Sequence, residues 1–89
     1  MPEIARFYGV AIYLYFERTA QHHEPHFHAT YGEYDASFAI DPPLLLAGDL
    51  PRRQQRLVLA WAELHQAELL ENWHRAIAGQ RLLRIEGLR

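Results

Sequence analysis

His26-Phe27-His28-Ala29-Thr30-Tyr31-Gly32-Glu33-Tyr34-Asp35-Ala36-Ser37-Phe38-Ala39-Ile40 is the stretch that decides the fold. Aromatic and β-branched residues alternate with small or polar ones on both sides of Gly32-Glu33. That pattern predicts two antiparallel strands, 26–31 and 34–40, joined by a tight turn in which glycine supplies the positive φ. Tyr34, Ala36, Phe38 and Ile40 share one face, and Asp35, Ser37 and Ala39 share the other. With Phe27 facing a core, His26 and His28 fall together on the opposite face, roughly 6.5–7 Å apart at Cβ.

Working outward on the N-terminal side, Glu24-Pro25 and the polar segment from Arg18 form a connection that carries His22 and His23. Residues 4–17 before it are rich in strand-forming types, with Val10, Ile12, Leu14 and Phe16 on one face and Ala11, Tyr13 and Tyr15 on the other. Gly9 marks a bulge, or a short strand or turn before the main strand.

On the C-terminal side Asp41-Pro42-Pro43 ends the hairpin, because proline cannot donate to the ladder. Leu44-Leu45-Leu46-Ala47 forms a fourth strand or an apolar lid. From Pro51 to Ala78 nothing breaks a helix, and proline suits its first turn. Its apolar stripe runs through Leu57, Val58, Trp61 and Leu64, then Leu69, Trp73, Ala76 and Ile77, with the second half turned about 100° from the first. The sequence therefore predicts one long helix with a bend, against the alternative of a break near His65-Gln66. Gly79 caps it, and residues 82–86 form an extended tail that returns to the sheet. The expected architecture is α+β: a single domain over 1–89, with a three- or four-stranded antiparallel sheet in 4–47 covered by one helix over 51–78.

Composition narrows the function classes. The net charge of −2 argues against a general nucleic-acid-binding surface and leaves nucleic acid only as a substrate. All nine basic residues are arginine, the better bidentate partner for carboxylate and phosphate. Without cysteine there is no disulfide and no thiolate metal knuckle, which fits a reducing cytoplasm. The apolar run from Val10 to Phe16 is too short to span a bilayer, and the N-terminus lacks a signal-peptide pattern. These features predict a cytoplasmic protein.

Candidate chemistry gathers at the histidines. Imidazole binds metals and titrates near neutrality, so His22, His26, His28 and Asp35 form a candidate set for zinc or manganese. A catalytic zinc needs three protein ligands and an open position, so His22, His23 or a carboxylate must join the pair, with Asp35 also able to accept a ring proton. A metal-free reading uses His26 and His28 with Tyr8 or another tyrosine hydroxyl and Arg6 in acid–base cleavage of RNA. Arg52, Arg53 and Arg56 at the helix start form a candidate anion site. Trp61 and Trp73 are core residues or anchors for a protein partner. A helix of the predicted length would span about 42 Å and overhang the sheet. That overhang predicts a homodimer or a complex with another protein.

The order Ile4-x-Arg6-Phe7-Tyr8-Gly9, His22-x-x-Pro25-His26-Phe27-His28-Ala29-x-Tyr31-Gly32, Leu50-Pro51-x-Arg53, Trp61 and Leu69-Leu70-x-x-Trp73 resembles a bacterial family catalogued as domain of unknown function 4160. The Pro-His-Phe-His segment is its most specific part, and Glu24 stands where that family usually has a second proline. Members of that family often lie beside another small protein, in an arrangement resembling toxin–antitoxin pairs. The resemblance thus implies an interaction module acting by protein–protein binding with the product of a neighbouring gene. The alternative from the residues is a small metal- or histidine-dependent nuclease or hydrolase.

Overall fold

The structure is a computed structural model that describes residues 2–17 and 24–89. Five strands run in chain order, β1 (Glu3–Phe7), β2 (Val10–Tyr13), β3 (His26–Tyr31), β4 (Tyr34–Ile40) and β5 (Pro43–Gly48), followed by helices α1 (Arg52–Leu64) and α2 (Gln66–Ile77). The strands form one antiparallel meander, β1-β2-β3-β4-β5. The central hairpin pairs Tyr31 with Tyr34 and Phe27 with Phe38 across the Gly32-Glu33 turn.

Two expectations need correction. The sheet has five strands, where the sequence predicts three or four. Residues 4–17 are a hairpin of two strands, because Tyr8 and Gly9 both take positive φ, 48° and 79°. Successive positive φ values match the twist of a tight hairpin, and Phe7 pairs with Val10 across the turn. The apolar segment after Pro43 is a true edge strand, with an irregularity in register opposite Ser37 and Phe38.

The second correction concerns the helix. It is broken at His65, whose φ of −117° and ψ of 26° lie outside helical geometry. The break resolves the conflict between the two apolar stripes. Val58, Trp61 and Ala62 of α1 and Leu69 and Trp73 of α2 are all buried in one core, which a straight helix with stripes about 100° apart could not achieve. Gln66 fixes the new direction by donating to the Ile40 carbonyl (2.9 Å) and to Asp41 Oδ1 (3.2 Å). The longest dimension of the described molecule is 33 Å. A straight helix of about 42 Å does not fit within that length, so the geometric basis for a partner bound to such an overhang is gone.

Both helices cover the Phe27 face. Phe27 and Phe38 stack at 5.4 Å, and the Trp61 ring meets Phe27 edge-on at 5.8 Å and Phe7 at 5.2 Å. The C-terminal tail then closes the β1 edge. Ile85 N–H donates to the Ile4 carbonyl at 2.7 Å, and the Ile85 side chain is buried.

Candidate functional site

The face opposite the helices is built by strand alternation. Tyr13, His28 and Ser37 lie side by side on β2, β3 and β4, and Ala11, Thr30 and Asp35 form the next row. His26, at the start of β3, is 4% exposed. Its ring meets His28 edge-on at 5.1 Å between centroids and Trp73 of α2 at 5.1 Å. Phe16 packs edge-on against the same indole at 5.5 Å.

Hydrogen bonding orients the His26 ring. Its Nδ1 lies 2.8 Å from the Glu24 carbonyl oxygen. A carbonyl only accepts, so Nδ1 carries the proton, and in the neutral ring the lone pair belongs to Nε2. His28 is partly buried beneath Tyr15, whose ring stacks on it at 4.5 Å with an interplanar angle of 6°. The Tyr15 hydroxyl is pushed above its ordinary value first by burial, then by the charges of Glu17 and Asp35. Both effects disfavour a phenolate.

This arrangement brings together only part of the acid–base set predicted from sequence. His26 and His28 share a face and are in contact. Arg6 lies on that face but two strands away, about 10 Å at ordinary strand spacing, and its guanidinium is paired with Glu3 at 2.6 Å. Tyr8 is at the β1–β2 turn, half-exposed, with Arg53 over its ring at 5.8 Å. Neither reaches the histidines. Two tyrosines do: Tyr13 pairs with His28 across β2 and β3, and Tyr15, one of five that sequence alone could not rank, stacks on it. The signal for Tyr15 was the alternation in phase with Tyr13, which continues past the end of β2 toward the histidine face.

Of the predicted metal ligands, His22, like the alternative His23, falls outside the described residues. Asp35 pairs with Thr30, one pleat nearer the hairpin turn than His28. Among the described residues no three His, Cys, Asp or Glu side chains are grouped so as to hold a metal ion. The described part of the site thus offers two imidazoles to zinc or manganese, fewer than the three ligands of a catalytic zinc.

The predicted anion cluster divides. Arg52 and Arg56 line a cavity of about 490 Å³ with Tyr34, Asp49 and Gln55, whereas Arg53 turns to Tyr8. α1 begins after Pro51 without a side-chain cap or an acidic residue in its first turn. Asp49 therefore brings the nearby negative charge to this arginine pair. Trp61 and Trp73, predicted as core residues or partner anchors, are 0% and 3% exposed. Trp61 Nε1–H donates to the Glu86 carbonyl at 2.8 Å. Both are core residues of this chain, and neither presents a ring to a partner.

A meander backed by a broken helix, with an imidazole–aromatic cluster that runs from Trp73 of α2 through His26 to His28 and Tyr15, is thus the structural class. The model of the family described as Domain of unknown function (DUF4160) matches residues 9–74, and the chain belongs to that family. That match spans the two histidines, Tyr15 and Trp73. No curated protein and no solved structure matches the chain.

Proposed function

We propose that this protein is an interaction module, one component of a toxin–antitoxin-like pair, that grips a protein partner with the helix-free face of its sheet around Tyr15 and His28. The observation that carries this reading is the Tyr15–His28 stack at 4.5 Å, beside His26. Stacked aromatic side chains supply large contact area at low entropic cost, and such residues dominate binding energy at interfaces. Leu44, paired with Ala39 on the same face, adds an exposed apolar side chain. The partner class is the one that the family resemblance implies. The test is calorimetric titration with the product of the neighbouring gene, using wild type and Tyr15→Ala/His28→Ala. The expected result is affinity weakened about thirtyfold or more, the hot-spot range, with unchanged circular dichroism. Equal affinity, or no binding by wild type, overturns the reading.

A second reading rests on His26. Its ring is held through Nδ1 by the Glu24 carbonyl, next to a second imidazole. That pairing suits general acid–base catalysis in a small histidine-dependent nuclease or hydrolase. RNA cleavage or growth arrest on expression, abolished in His26→Ala/His28→Ala but retained in Leu44→Ala, supports this reading. Absence of both activities in wild type removes it.

A further inference from the structure

The C-terminal tail is held mainly through its backbone. Asn72, fully buried on α2, donates from Nδ2 to the Leu83 carbonyl and accepts from the Leu83 N–H, both at 2.8 Å. Trp61 donates to the Glu86 carbonyl, and Ile4 accepts from the Ile85 N–H. Side chains contribute at three-residue spacing: Ile85 is buried, and Leu82 and Leu88 pack on the core. Gly87 crosses so close to β1 that an added Cβ would stand 2.8 Å from the Arg6 carbonyl oxygen. This groove reads an extended peptide with apolar residues at positions one, four and seven and glycine at six. Its occupant is on view.

We infer that the groove accepts the same segment, residues 80–89, from a second copy, so that two chains exchange tails. Three observations carry the exchange. The contacts join the tail to the body and would be identical if another copy supplied them, which is the basis of domain swapping. The hinge consists of residues 78–81, all exposed, and turns at Gly79 with φ of 71° and open space around it. Ile77 and Leu83 flank this hinge with 51% and 49% of their surface exposed. Opening the turn in two copies would bring these apolar side chains where the hinges meet.

The natural absence of cysteine makes the test clean. Glu3 and Arg84 are ion-paired at 3.1 Å across the groove, so Glu3→Cys/Arg84→Cys can be bridged by a short bis-maleimide. After equilibration from micromolar to millimolar concentration, exchange yields covalent dimers whose fraction rises with concentration. Adding Gly79→Val penalises the left-handed turn of the closed chain and should shift the open state by roughly five- to thirtyfold per chain. Ile77→Lys should lower the dimer fraction. Cross-links confined to single chains at every concentration, with and without Gly79→Val, overturn the inference. Equal dimer yield from Glu3→Cys alone also overturns it, since that would report surface association without exchange.

Discussion

Single residues carry constraints of different legibility. Gly32 was readable because it lies between two alternating runs, whereas Gly48 reads only as the turn that leads to the helix, with no sign of a close backbone approach. A Cβ on Gly48 would stand 2.3 Å from the Asp35 carbonyl oxygen, and its φ is 78°. Gly48→Ala should therefore cost about 2 kcal/mol or more in denaturant unfolding, combining a left-handed conformation with a backbone clash. Tyr15 was likewise hidden among five tyrosines, because stacking on His28 depends on where the chain turns after β2. Its hydroxyl is raised chiefly by burial. Folding thus favours the protonated phenol, and this contribution is fully present below the unfolded value. It is lost as pH rises through the folded one. Ultraviolet titration should show Tyr15→Phe removing a tyrosine step that lies above the ordinary value. Loss of an ordinary tyrosine step instead would contradict the burial.

Elements were legible where periodicity is local, as in β3 and β4. They were misread where tertiary demand overrides it. The chemistry from Pro51 to Ala78 is helical throughout, and only the need to bury both Trp61 and Trp73 against one sheet explains the break at His65. Trp61→Ala should cost about 3–5 kcal/mol, since it empties the centre of the core and removes the bond to Glu86. Leu64, equally part of the predicted stripe, is 70% exposed. Leu64→Ala should stay within about 0.5 kcal/mol of wild type. Paired chemical denaturation curves check both, and similar costs at the two positions would contradict this division of α1.

For the whole molecule, closure depends on joining the first strand to the last residues. Glu3 bonds Arg6 and Arg84, and these two guanidinium groups, first Arg6 and then Arg84, hold its carboxyl below the ordinary 4.5. A depressed carboxyl stabilises the fold at pH above its unfolded value, and that contribution disappears as pH falls through the folded one. Trp61 fluorescence, reporting the bond to Glu86, should therefore show tail loosening on acidification below pH 4.5, and Glu3→Gln should remove that phase. An unchanged acid profile in the variant would contradict the closure. No helix among the described residues is long and apolar enough to cross a membrane. The histidine face was legible as a pair of imidazoles on one strand, but its setting against Trp73 and Tyr15 required the folded chain.

The central claim is that this face meets the partner. Proton NMR of the histidine rings during titration with the neighbouring gene product tests it most directly, because His74 is exposed on α2 and His65 lies at the helix break as internal controls. The predicted result is a change confined to the His26 and His28 signals, saturating with partner concentration. Perturbation of His65 or His74 with His26 and His28 unmoved would contradict the account.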